Sequence, residues 1–101
     1  MSIFQPPVVT LYQASSALQP GTSATVGTVS SVIISVNQSR YQVWICNTDA
    51  SAIVYLSLGG TAVVNKGIVI YPKTTFQVQN YAGAISAISS AANTNVAIAE
   101  I

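Results

Sequence analysis

The sequence predicts an all-β protein: an antiparallel β-sandwich of about eight short strands, jelly-roll or Ig-like in its connections, with an extended N-terminal arm. From Ala24 onward, Val, Ile and Thr are abundant, and these residues favour strands. Turn residues such as Gly59-Gly60 and Asn65-Lys66-Gly67 recur at short intervals. Many short strands at this spacing are typical of a sandwich or a small barrel.

The start of the chain differs from the rest. Pro6, Pro7, Pro20 and Gly21 interrupt it, and the apolar run at 8–12 offers at most one short strand. We therefore predict an arm over residues 1–22 and a β-sandwich domain over residues 23–101. A chain of 101 residues is long enough for one compact domain.

Each predicted strand is bounded by residues that favour turns. Gly27 is a point at which the first strand can bend or split. Between Gly83 and Asn93, a run of small residues has some helix propensity, but the flanking turn residues favour a strand. The predicted strands cover residues 24–36, 41–47, 52–58, 62–64, 68–71, 74–79, 84–89 and 95–101.

Alternation along two of these strands predicts an assembly. In the strand 41–47, Val43 and Ile45 share one face, while Trp44 lies on the other. In the strand 52–58, Leu56 and Tyr55 likewise lie on opposite faces. Antiparallel sheets in monomers usually turn a polar face to water. We therefore expect one face to form the core and the second to be covered by a neighbouring subunit or by the arm.

Charge is scarce throughout the chain. Charged residues make up 5% of the sequence, against about 25% in an average soluble domain, and histidine is absent. A chain with so few charges has little to keep its copies apart, which favours a protein packed in an assembly. The net charge of +1 and the lack of a basic cluster predict that nucleic acid is not a partner.

We expect no enzymatic activity and no cofactor. A serine nucleophile lacks its commonest base, and the carboxylates Asp49 and Glu100 come from a predicted turn and the last strand. A paired-carboxylate mechanism needs them about 5–10 Å apart, whereas Asp49 is typical of a residue that stabilises its own turn. Lys66 and Lys73 are predicted to be solvated turn charges. The alternative is an intersubunit ion pair that joins one of them, or Arg40, to a carboxylate.

Cys46 is the only cysteine, which excludes an intrachain disulfide and a thiolate metal site within one chain. We predict that it is a buried structural thiol and that the chain holds no metal. Apolar runs stay well short of the ~18 residues that a membrane helix needs, so no membrane partner is expected. Pro6 and Pro7 interrupt the only stretch that could start a secretory signal, which predicts an intracellularly made chain.

The aromatic residues have two interpretations. Aromatic rings are enriched at protein interfaces, and they also stack on the apolar faces of sugars while Asn and Gln bond the hydroxyl groups. Packing in a core or an interface is the stronger interpretation, and glycan contact is the second. The residues concerned are Tyr12, Tyr41, Trp44, Tyr55, Tyr71 and Tyr81.

Several short segments from about Asn37 onward share a common style, in which an apolar strand is bounded by Asn, Arg or Gly. They are Asn37-Gln38-Ser39-Arg40, Val43-Trp44-Ile45-Cys46-Asn47, Val54-Tyr55-Leu56-Ser57-Leu58-Gly59, Lys66-Gly67-Ile68, Tyr81-Ala82-Gly83-Ala84-Ile85-Ser86-Ala87-Ile88 and Val96-Ala97-Ile98-Ala99-Glu100. Together they resemble the capsid decoration, or cement, proteins of tailed bacteriophages, over roughly two thirds of the chain.

That resemblance implies a β-sandwich that adds to the outside of an assembled head, often as a trimer at threefold positions, and clamps neighbouring copies of the major capsid protein. It brings no catalytic residues. Similar folds also serve as head-fibre or tail-fibre modules that contact host glycans.

We therefore expect a non-enzymatic virion protein, made in the host cytoplasm, that binds the outer capsid surface as a homotrimer and stabilises the major capsid protein lattice. The alternative is a carbohydrate-binding or host-adhesion module of a phage head or tail fibre. The expected interface residues are Phe4, Pro6, Pro7, Tyr12, Arg40, Trp44, Tyr55 and Tyr81.

Overall fold

A computed structural model describes residues 21–101, and this part of the chain is built from strands and contains no helix. Accordingly, no helix among these residues has the length and apolar character to cross a membrane. The strands are β1 (Thr22–Val26), β2 (Ser31–Ile34), β3 (Gln42–Asn47), β4 (Val54–Leu58), β5 (Ile68–Ile70), β6 (Thr75–Gln79), β7 (Ile85–Ser89) and β8 (Thr94–Glu100).

The strands form two four-stranded antiparallel sheets, which confirms the predicted sandwich. One sheet has the order β1-β8-β3-β6 and the other has the order β2-β7-β4-β5. The strands pair as β1 with β8, β2 with β7, β3 with β6 and β4 with β5. This is the pairing of one long hairpin whose tip is the loop between β4 and β5. This is the strand order of a jelly roll, which decides between the two predicted sets of connections.

The core lies between the sheets and is filled by alternate side chains of each strand. Val43 and Ile45 of β3 meet Val54 and Leu56 of β4 in one cluster of buried residues, together with Ile85 of β7. Full burial of a side chain of this size contributes about 1.5–3 kcal/mol to folding. In β3 the core face is therefore the face opposite Trp44, and in β4 it is the face opposite Tyr55.

Two predicted strands differ from the structure. The segment 24–36 is two strands, β1 and β2, separated at Gly27–Ser30, and each belongs to a different sheet. The predicted strand 62–64 is wrong, because this segment lies in the loop between β4 and β5. There the Ala62 amide donates to the Ser30 hydroxyl at 2.9 Å and makes no ladder bond. The other strands agree with the prediction to within a residue or two.

The predicted arm lies almost wholly outside the described residues. β1 begins at Thr22, at the predicted boundary between arm and domain, and it is an edge strand of its sheet. Four of the predicted interface residues, Phe4, Pro6, Pro7 and Tyr12, also lie outside the described part of the chain. Their assignment stays a prediction.

Candidate functional site

The outer face of the β1-β8-β3-β6 sheet is our candidate site. Apart from Trp44 and Cys46, its outward side chains are alanines or carry amide or hydroxyl groups, and none of the outward side chains is charged. We call this surface the Trp44 face. It consists of Ser23, Thr25, Gln42, Trp44, Cys46, Thr75, Gln77, Gln79, Asn95, Ala97 and Ala99.

Trp44 lies at the centre of this face. In the register of the sheet it stands between Ala99 of β8 and Gln77 of β6. Because the Ala99 side chain is only a methyl group, no large side chain of this sheet packs against the indole on the side towards β8. The indole is half-buried. A tryptophan held in this way on a central strand is the residue type that most often dominates binding energy at protein interfaces.

Beside Trp44, three glutamines form an amide ladder. The Gln42 Oε1 atom accepts hydrogen bonds from Nε2 of Gln77 and from Nε2 of Gln79, the latter at 3.2 Å. These bonds fix the side chains before any partner binds, so less rotamer entropy is lost on association. Removing amides from water also costs far less than removing ions. Covering the Trp44 face therefore carries a smaller electrostatic penalty than covering a charged face.

Cys46 corrects one expectation. The thiol is free, but the residue is only partly buried, and it lies on the Trp44 face and not in the core. The alternation of β3 explains this, because Cys46 has the parity of Trp44, whereas Ile45 and Asn47 point between the sheets.

Tyr55 also differs from expectation, because its outward face is covered within the chain. Tyr55 is 6% exposed, although it points away from the core between Val54 and Leu56. The loop between β4 and β5 folds over it. In this loop Asn65 accepts the Tyr55 hydroxyl hydrogen bond at 3.2 Å, and Ala62 is buried. A neighbouring subunit is therefore not needed to cover this face.

Arg40 is engaged inside one chain. Its side chain is fully buried and forms an ion pair with Glu100 at 3.3 Å. The guanidinium also donates to the Gly83 carbonyl at 2.6 Å and to the carbonyls of Tyr81 and Ser35 at 3.2 and 3.3 Å. These bonds join the β2–β3 loop, the β6–β7 loop and the last strand. The Arg40 ion pair considered for a subunit boundary is thus formed within the subunit.

Tyr81 is likewise held by its own chain. Its hydroxyl donates to the Ala84 carbonyl at 2.9 Å, and its ring packs against the core cluster. The ring lies so close to Gly83 that a Cβ atom there would come within 2.5 Å of the hydroxyl oxygen. Of the described residues predicted at an interface, Trp44 is therefore the one whose outward face is not covered by a loop within residues 21–101.

The two carboxylates do not meet within the described chain. Glu100 pairs with Val43 near the start of β3, whereas Asp49 follows the end of β3. Six residues of extended chain separate these points by about 20 Å, beyond the range of a catalytic carboxylate pair. Asp49 instead accepts the backbone amides of Ala52 and Ser51 at 2.7 and 2.9 Å, as predicted for a turn former.

Asn47 is a structural residue that the sequence analysis placed only at a turn. It is completely buried, and its amide nitrogen donates to the carbonyls of Ala52 and Ile70 at 2.8 and 3.0 Å. Its side-chain oxygen accepts the Asp49 amide at 3.0 Å. The sequence held one signal for this role: Asn47 has the same parity along β3 as Val43 and Ile45, so its side chain points inward with theirs.

Among residues 21–101, no group of three or more His, Cys, Asp or Glu side chains converges to hold a metal ion. Comparison with known protein families, with curated proteins and with solved structures finds no match to this chain.

Proposed function

We propose that this chain is a non-enzymatic structural protein of a bacteriophage virion, a capsid decoration protein that assembles as an oligomer and stabilises the outer surface of the head. The Trp44 face carries the proposal. An aromatic residue at the centre of a charge-free sheet surface has the composition of an interface core, where charged residues are depleted and aromatic residues enriched.

The Trp44 face is too small to form a standard protein interface alone. Four strands spaced by about 4.8 Å and about six residues long give a face of roughly 400 Å². A standard interface buries about 800 Å² on each partner. The face thus accounts for about half of one partner's share. Residues 1–22, which enter the sandwich at the edge strand β1 of the same sheet, are proposed to supply much of the remainder as an arm.

The jelly-roll strand order is compatible with this proposal, since capsid domains of viruses use it. The same order also occurs in lectins and enzymes, so it supports a virion role only together with the surface. A decoration protein acts by adding buried area between subunits of a lattice, and many modest contacts then sum to a large stabilisation. Such a protein requires an uncharged surface that can be buried against another subunit. The Trp44 face is a surface of this kind.

The first test is the native mass of the purified chain, measured by light scattering after size exclusion over a dilution series. We expect a trimer that persists on dilution. Trp44→Ala should raise the dissociation constant by about 30-fold or more, because a central tryptophan in an interface contributes about 2 kcal/mol or more. Tyr71→Ala is the matched control, since Tyr71 is 59% exposed and lies outside the Trp44 face.

A chain that is monomeric at every concentration would remove the basis of the proposal. The second test locates the protein. Particles purified from cells that carry its gene should contain the chain, and antibodies raised against it should label the outside of the heads in electron micrographs. Label confined to tail fibres, or a chain absent from particles, would refute the capsid assignment.

A further inference from the structure

A pocket of about 180 Å³ lies at one end of the Trp44 face. It forms where β3 begins and β6 ends, and Tyr41, Gln42, Gln79 and Asn80 line it. Gln42 and Gln79 face each other across the two strands in register. The pocket is smaller than the roughly 300–1,000 Å³ of sites that take drug-sized ligands, and so it has room for a single ring.

The walls of the pocket are one aromatic ring and three amides. Tyr41 is 71% exposed, which makes it the most exposed tyrosine among residues 21–101. The Gln79 amide nitrogen is held by the Gln42 oxygen at 3.2 Å. No hydrogen bond between described residues uses the Gln42 nitrogen, the Gln79 oxygen or the Asn80 side chain. The pocket therefore offers both donors and acceptors to a ligand.

The backbone around the pocket is fixed. The amides of Tyr41 and Gln42 both donate to the Ile101 carbonyl, at 2.6 and 3.0 Å, and the Asn80 amide donates to the Tyr41 carbonyl at 3.2 Å. Asn80 adopts a left-handed backbone conformation, with φ of 58°. Asparagine tolerates this conformation better than most residues do. The backbone positions that carry the polar side chains are thus fixed before a ligand arrives, which reduces the entropy lost on binding.

No charged side chain lines the pocket. The neighbouring Arg40 is turned into the protein and paired with Glu100. A phosphate, a carboxylate or an acidic sugar would have no counter-charge here, so the ligand that fits is neutral.

We propose that this pocket binds one neutral pyranose ring. The C–H face of the sugar stacks on Tyr41, because the π-face of an aromatic ring carries negative charge density that attracts the C–H groups. The hydroxyl groups, each both donor and acceptor, bond the amides of Gln42, Gln79 and Asn80. Sugar binding itself needs neither an oligomer nor a head. Gln42 and Gln79 also belong to the Trp44 face, so an oligomer that covers this end of the face would compete with the sugar.

The test is saturation-transfer NMR of the full-length protein with methyl glycosides of glucose, galactose, mannose and N-acetylglucosamine. We expect transfer to the C–H protons of at least one glycoside, with a dissociation constant on the order of 1 mM for a single ring. Tyr41→Ala should weaken binding about tenfold. Tyr71→Ala, which removes another exposed tyrosine outside the pocket, should leave it unchanged within about twofold. Asn80→Gly preserves the backbone conformation and should weaken binding by removing only the amide.

The proposal is overturned if no glycoside shows transfer at about 20 mM, which is well above the expected dissociation constant, or if Tyr41→Ala binds as tightly as the original chain. Amide spectra of the variants show whether each has kept its fold. A polysaccharide that carries the active sugar at its chain ends should compete with the free glycoside at the same pocket. Because the native mass is measured separately, a monomer that binds sugar and an oligomer that does not are distinguishable results.

Discussion

Asn47 connects three segments of the chain through one buried amide. It bonds the β3–β4 turn through Ala52 and Asp49, and it bonds β5 through the Ile70 carbonyl. In Asn47→Ala, these backbone groups stay buried and lose their partner. We expect the free energy of unfolding to fall by about 2–4 kcal/mol, measured by urea denaturation. Asn93→Gly is the control, because Asn93 is exposed and already has a φ of 58°. A loss under about 1 kcal/mol in Asn47→Ala would contradict this role.

Asp49 should make stability depend on pH in acid. Hydrogen bonds from the backbone amides of Ala52 and Ser51, aided by the Lys73 charge, hold the pKa of its carboxyl below the ordinary value. A carboxyl with a lowered pKa in the folded state stabilises the fold above the unfolded pKa, near pH 4, and loses this contribution as the pH falls through the folded pKa. Asp49→Asn keeps an accepting oxygen but does not titrate.

The urea midpoints of Asp49→Asn and the original chain, measured between neutral pH and strong acid, test this dependence. The original chain should be the more stable of the two at neutral pH, and the difference should shrink as the pH falls below about 4. A difference that stays constant through this range would show that the carboxylate charge does not contribute. Asp49 is only half-buried, so screening by solvent keeps the effect modest.

At the scale of elements, Gly67 sets the return of the chain from the β4–β5 loop into β5. It has a φ of +79°, and a Cβ atom there would lie 2.5 Å from the backbone oxygen of Leu56. Gly67→Ala should therefore lower the free energy of unfolding by about 1–3 kcal/mol or more. Gly27→Ala is the matched control, since a Cβ atom at Gly27 meets nothing within 4 Å. Equal urea midpoints for the two variants would contradict the requirement for glycine at position 67.

Short-range patterns predicted most strands because alternation and turn chemistry act over a few residues. They failed at Ala62, whose amide bonds Ser30 from a distant part of the chain, and such a partner leaves no local signal. They also left the jelly-roll and Ig-like connections open. Those connections differ in which distant strands pair, as β1 does with β8, and not in where strands begin and end.

The candidate site was only partly predictable for the same reason. The alternation of β3 placed Trp44 on the face opposite Val43 and Ile45 but left open which of the two faces forms the core. The structure buries Val43 and Ile45 in the core. For Tyr55 the same alternation predicted a face covered by a neighbouring subunit or by the arm, but the β4–β5 loop covers it instead. Tyr41 and Asn80 form one pocket only because β3 and β6 pair, although they lie far apart in sequence.

For the whole molecule, the scarcity of charge predicts how association responds to salt. Salt bridges and steering by charged patches weaken as ionic strength rises, but the Trp44 face has no charged group for salt to screen. The dissociation constant of the oligomer should therefore change by less than about threefold between roughly 0.05 and 0.5 M NaCl. Sulfate should strengthen association, because it favours the burial of apolar surface.

Light scattering at each salt concentration gives the measurement, with Trp44→Ala as the comparison that identifies the surface involved. An oligomer that dissociates steeply in NaCl would show that Lys66 or Lys73 makes ionic contacts, and it would shift the interface away from the Trp44 face. An oligomer that resists NaCl but is lost in Trp44→Ala would assign association to the neutral sheet surface. In that case the absence of charge on the Trp44 face would serve the association of the chains.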